Sequence, residues 1–267
     1  MNFTFNIKFD TGVSDFDGLN MYYGADALSG FAEALAITTH AIVNNNVVTQ
    51  TPAVKGFKLD FKEAHDGSYI QKVSLEFTDA EAVRVVNHIG ARGFIELLTF
   101  HLASPLGLNP RIESAAAKRW HRSSMDDSEK LLDRLEGPLK RIHHPVYGQG
   151  YKVTLYKSRT TMLNFNEATF DYLTGSNVSD QVETIEAAVS RFNARTFTGR
   201  IIEEEDSDSI SFSPLKAGLV RPSRVILVNS LKDLTEGRFT KVGLEVRRVL
   251  SRDGRTKHLI VQSVHEL

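Results

Sequence analysis

The 267 residues contain no cysteine. That excludes a disulfide framework, a cysteine nucleophile and a thiolate metal site, and it fits a reducing compartment. No apolar run approaches the ~18 residues of a membrane span. The N-terminus has no basic start of the signal-peptide kind, so the expected location is the cytoplasm. Catalytic signatures are missing as well. There is no glycine-rich loop ending in Gly-Lys-Ser/Thr, no Gly-x-Ser-x-Gly elbow and no His-Glu-x-x-His helix. Gly90-Ala-Arg-Gly93 has too few glycines for a dinucleotide fingerprint. The expectation is a non-catalytic chain with no cofactor and no metal, meeting no membrane.

Hydrophobic residues make up 41% of the chain, enough for a real core. The length suits two domains. The stretch from Asp26 to Phe61 organises the first. Leu28, Phe31, Leu35 and Ile42 recur at helical spacing, with Asp26 placed to cap the start. Asn44 to Asn46 stop the helix, and Phe57, Leu59 and Phe61 then alternate as a strand does. Phe3, Phe5, Ile7 and Phe9 make a first strand with one dry side. His65 to Ser68, with Asp66-Gly67 at its centre, reads as a hairpin turn before a strand over 69–77. Helices follow to about residue 102, with Gly90 and Gly93 as breakpoints. Residues 111–145 form a further helical part, in which Pro138 is expected to kink or split an amphipathic helix. Strands and a short helix lead to the polar cluster Thr174 to Asn177, taken as the boundary. The expected fold is α+β: an N-terminal sheet packed by helices over 1–177, then a small five-stranded OB-like β-barrel over 178–267.

The barrel rests on element order: strands near 182–192, 199–204 and 210–212, a helix around 224–233, then strands at 242–250 and 257–264 about an Arg252-Asp253-Gly254 turn. Val189 to Ala194, Phe197 to Ile201 and Ile210 to Phe212 resemble the opening of a cold-shock domain. That resemblance implies surface aromatics that stack bases, with cations nearby for phosphates. Glu203 to Asp206 put four acids at the exit of the second strand, a departure from such a surface. The first part of the chain resembles an uncharacterised bacterial family through Gly30-Phe31, Thr38-Thr39-His40, Thr49-Gln50-Thr51-Pro52 and Lys55-Gly56. That resemblance implies no activity.

Residues 214–260 hold eleven Lys and Arg against four Asp and Glu, the pattern of a polyanion footprint or of a solvated face. The candidate nucleic-acid contacts are Arg195, Phe197, Arg200, Phe212, Arg247, Arg248, Arg255 and Lys257. Arg247 and Arg248 are expected on opposite faces of their strand. His40 and Gln50 are the candidate pocket residues. His143-His144 reads either as a pair of metal ligands or as a helix C-terminus. Trp120, among Lys118, Arg119 and Arg122, reads either as a stacking residue or as core. Three functions fit: a barrel that contacts nucleic acid, a protein-interaction or homo-oligomeric assembly subunit, and an enzyme with a site near His40.

Overall fold

The alternation of the first ten residues becomes the middle of a sheet. β1 (Asn2–Asp10) buries Phe3, Phe5, Ile7 and Phe9. It pairs antiparallel with β3 (Tyr69–Phe77) on one side and β4 (Lys152–Lys157) on the other. β2 (Phe57–His65) and β5 (Thr160–Phe165) close the edges, giving the order β2-β3-β1-β4-β5. The computed structural model describes residues 1–12, 18–48, 54–65, 69–124, 128–205, 207, 209–215 and 218–267, with backbone alone at 63–65, 124, 128 and 129. The chain divides into two compact units, Met1–Thr174 and Gly175–Leu267. Together they form an α+β protein: a five-stranded sheet with helices, and a closed five-stranded barrel.

Helix α1 (Met21–Asn44) covers the dry face of the sheet, with Phe31 edge-on to Phe165 of β5 at 5.3 Å between ring centroids. It starts five residues before Asp26, because Asn20 caps it: the Asn20 side chain accepts from the amides of Tyr22 and Tyr23. It ends where expected, with Asn45 in the left-handed conformation at φ 47°. Gly90, at φ 83°, separates α2 (Ala80–Ile89) from α3 (Ala91–Ala103), while Gly93 stays inside α3. After α4 (Ala115–Ser124), α5 (Ser128–Ile142) runs through Pro138 without splitting. Leu131, Leu135, Leu139 and Ile142 hold one buried stripe across the proline, and that burial outweighs the loss of one amide donor. A short helix, α6 (His144–Gln149), leads back to the sheet, and α7 (Glu167–Thr174) ends the unit. The predicted turn at 66–68 lies outside the described residues; the strands either side of it pair antiparallel.

The barrel uses β7 (Glu183–Phe192), β8 (Gly199–Ile202), β9 (Ile210–Pro214), β10 (Val242–Ser251) and β11 (Thr256–His265). The order is β11-β9-β8-β7-β10, and β10 pairs with β11 to close the ring. Every pairing is antiparallel except β9 with β11. Val189, Ile201, Phe212, Leu244, Val246, Leu259 and Val261 fill the interior. Helix α8 (Arg221–Thr235) connects β9 to β10 and adds Leu227 to that core. Ser230 on α8 accepts the Val189 amide at 3.0 Å and donates to the Thr240 carbonyl at 2.8 Å, fixing the helix to β7. Ser176 and Asn177, taken from sequence as part of the domain boundary, belong with Val178 to a short strand, β6 (Ser176–Val178), alongside β10. All three are exposed, and the strand is short, as suits a sheet edge.

Helices α1 and α5 approach closely at Gly30. A Cβ there would stand 2.6 Å from the Pro138 carbonyl oxygen and 3.1 Å from the Ile142 nitrogen. Gly30→Ala is expected to lower the unfolding free energy by about 1–3 kcal/mol, the usual cost of overpacking. Urea titration of the two proteins checks it. A stabilisation, as alanine gives at an unhindered helical site, would contradict the close approach of α1 and α5.

Candidate nucleic-acid interface

Register decides which face of its strand each barrel arginine takes. Across β10 and β11, Val246 opposes Val261, Arg247 opposes Ile260 and Arg248 opposes Leu259. Directly opposed residues share a face. Val246, Val261 and Leu259 are core, so Arg248 lies on the inward side and Arg247 on the outward side. Arg248 is bound there: its Nε meets Glu183 at 2.6 Å, and its terminal nitrogens lie 3.1 Å from the Thr256 hydroxyl and 3.8 Å from Glu203.

The outward side carries a different set. Arg200 opposes Arg191 on β7 and Ser211 on β9. Its guanidinium is held by the Ser209 hydroxyl at 2.7 Å and carbonyl at 2.8 Å. The hydroxyls of Ser211 and Ser213 bracket His258, at 2.8 Å from Nδ1 and 2.7 Å from Nε2. A neutral imidazole donates from one nitrogen and accepts at the other, so one serine accepts and the other donates. Burial pushes the His258 pKa down, which favours that neutral form. Arg191, Arg200, His258 and Arg247 thus follow one another around the outside of the barrel. Arg191, Arg200 and Arg247 make no ion pair among the described residues, and the Nε of Arg247 is buried without a hydrogen-bond partner. Arg195 is exposed in the loop from β7 to β8, where Asn193 accepts its amide at 2.9 Å.

The other candidates lie elsewhere. Arg255 is paired with Asp253 at 3.0 Å, and Lys257 is half-buried on the inward side of β11. Lys241 pairs with Glu204 at 2.8 Å. Phe212 is 1% exposed, so its ring cannot stack a base. It fills the space over Gly199, where a Cβ would stand 2.6 Å from it. Phe197, at φ 58°, is half-buried, with the Arg224 guanidinium 4.6 Å from its ring centroid. The surface aromatics that a cold-shock resemblance implies are therefore turned inwards or covered. Ser211, Ser213 and His258 carried no sequence signal, because the parallel pairing of β9 with β11 joins residues about 46 positions apart.

His40 is structural. It is 5% exposed, and its Nδ1 accepts the Lys55 amide at 3.2 Å and the Asn44 side-chain amide at 3.0 Å. It ties the last turn of α1 to the chain entering β2, and Gln50 lies outside the described residues. His143 and His144 diverge. His143 donates from Nδ1 to the Leu139 carbonyl at 2.8 Å and meets the Thr169 hydroxyl through Nε2 at 2.9 Å, while His144 faces Asp26. No group of three metal-binding side chains occurs among the described residues. Trp120 donates to the Ile42 carbonyl at 3.1 Å and packs on the core.

Fold and site together define a two-unit α+β protein whose C-terminal barrel presents an arginine-bearing outer face. A family model described as a domain of unknown function (DUF7946) matches residues 5–104, from β1 through α3. That stretch includes Gly30-Phe31 and Thr38-Thr39-His40. Comparison with curated proteins gave no match, and comparison with solved structures gave none. No helix among the described residues is long and apolar enough to cross a membrane.

Burial also lowers the pKa of His101 to about 3 and of His143 to about 4. Folded, these rings bind protons less well than in the unfolded chain, whose value is about 6.5. Stability is therefore complete above about pH 6.5 and falls as the pH drops towards the folded values. At pH 5 the expected loss is about 2 kcal/mol for each ring. Denaturant titrations at pH 7 and 5 measure it. His101→Leu should remove about 2 kcal/mol of the difference, and a chain equally stable at both values would contradict the assignment.

Proposed function

We propose that the C-terminal barrel binds single-stranded nucleic acid through its phosphates, without base stacking. The observation that carries this reading is the outward set Arg191, Arg200 and Arg247, which is free of ion pairs among the described residues, while Lys241, Arg248 and Arg255 are bound to acids. The topology supports it. A closed ring of five strands, with the third parallel to the fifth and a helix between the third and fourth, is the arrangement of an OB-type barrel. Such barrels bind oligonucleotides across their second and third strands and the adjoining loops. Here those are β8 and β9, with Arg195 on the first loop. Glu203 and Glu204 bias a strand away from the exit of β8 and towards Arg200, His258 and Arg247. Affinity then comes from phosphate contacts, is indifferent to sequence and falls with salt.

A protein-docking barrel is the second reading. Val225 and Val228 share one face of α8 and are 50% and 45% exposed, with Val220 67% exposed just before the helix. An enzyme built on His40 has less support, because the Nδ1 of that ring is committed to holding the chain.

Fluorescence anisotropy with a labelled 12-nucleotide DNA or RNA strand tests the first reading on the full chain. Expected are a micromolar Kd at about 50 mM salt and a slope of log affinity on log salt near −2, as ~0.7 per phosphate gives for three contacts. Arg191→Glu with Arg200→Glu should weaken binding at least tenfold, and Lys241→Ala less than twofold. No binding at micromolar protein in low salt, or equal loss from Lys241→Ala, would sink it.

A further inference from the structure

The unit Met1–Thr174 contains a cavity of about 750 Å³, within the ~300–1,000 Å³ of small-molecule pockets. It lies where the start of β1, the first turns of α3 and the β4–β5 hairpin meet. Phe3, Ile95 and Met162 give it an apolar lining. Ile95 and Met162 pack against the core yet stay only partly buried, so apolar surface remains open to the cavity.

Charge in this cavity is one-sided. Arg92, Arg111 and Lys157 line it, and Glu96 is the single acid among the lining residues. Both oxygens of Glu96 are engaged. One accepts from the Arg92 Nε at 2.9 Å, and the other accepts the amides of Glu113 at 3.0 Å and Ser114 at 2.8 Å. Arg92 also reaches Glu113. Arg111 and Lys157 have no acidic partner among the described residues, and Lys157 Nζ stands 5.7 Å from the Phe3 ring centroid.

Two unneutralised cations beside open apolar surface suit one class of ligand. A neutral apolar molecule leaves the cations unused, and a fully hydrated small anion leaves the apolar surface wet. We infer that this cavity binds a small organic anion, with a carboxylate or phosphate monoester turned to Arg111 and Lys157. Its hydrocarbon or aromatic body rests on Phe3, Ile95 and Met162. This inference is independent of the barrel reading, since none of these residues belongs to the barrel unit.

The probe is 8-anilinonaphthalene-1-sulfonate, titrated by fluorescence into the full chain under conditions where the chain unfolds cooperatively. Competitors with one body and three heads separate the sources: 4-phenylbutyrate, 4-phenylbutyl phosphate and neutral 4-phenylbutanol. Expected is displacement by at least one of the anions at concentrations tenfold or more below the alcohol. Arg111→Glu and Lys157→Glu should each weaken probe binding about tenfold, Thr99→Trp should block the cavity, and Lys232→Ala on α8 should change nothing. Displacement by the alcohol as readily as by both anions, or probe binding unchanged in all three cavity variants, overturns the proposal. So does the absence of probe binding to the folded chain.

Discussion

Closure of the barrel through β10 and β11 is the constraint on which the proposed interface depends. A ring of five strands gives each strand one dry face and one wet face. Once Val246 and Val261 are committed to the interior, the fate of their neighbours follows from period-two geometry. Arg247 and Arg248 are adjacent in sequence and identical in chemistry. One meets Glu183 and Thr256 on the inward side, and the other reaches the outer face. A slip of one residue would exchange them and expose the core. Hydrophobic burial therefore sets the electrostatics of the surface.

The same logic explains why the barrel lacks an aromatic platform. Phe212 is needed inside, where Gly199 leaves room for its ring, and Phe197 is packed beneath Arg224. The outer side carries hydroxyls, an imidazole and guanidiniums, together with the carboxylates of Glu186 and Glu245. In the proposed reading, its guanidiniums and hydroxyls would meet phosphate oxygens through charge-assisted hydrogen bonds, which carry no base information. In the other unit, α1 is buried over much of its length, and of its polar trio Thr38 and His40 make side-chain hydrogen bonds while the buried Thr39 hydroxyl has no partner. Thr38 donates to the Ala34 carbonyl at 2.8 Å, one turn back.

Much of the fold was legible because it is local. The alternation of Phe3 to Phe9, the spacing of Leu131 to Ile142 and the order of the last five strands are all written over short stretches. The start of α1 and the strand β6 were not, because a single asparagine cap and a three-residue strand against a distant partner carry little periodicity. The site was legible in residue type and hardly at all in grouping. Arg191 and Arg200 are set side by side by the pairing of β7 with β8, Arg247 stands on β10 beyond β9 and β11, and His258 acquires its serines through a parallel pairing with no sequence signature. The cavity beside Arg111 and Lys157 was equally hidden, since four separate segments contribute to it.

The most direct measurement is an amide chemical-shift titration of the isotopically labelled full chain with an oligothymidine of about ten nucleotides. Shifts confined to the amides around Arg191, Arg200, Ser211, Arg247 and His258, reversed by raising the salt, are the predicted result. Shifts centred on α8 around Val225 and Val228, or no shifts at millimolar oligonucleotide, would contradict the phosphate-binding face.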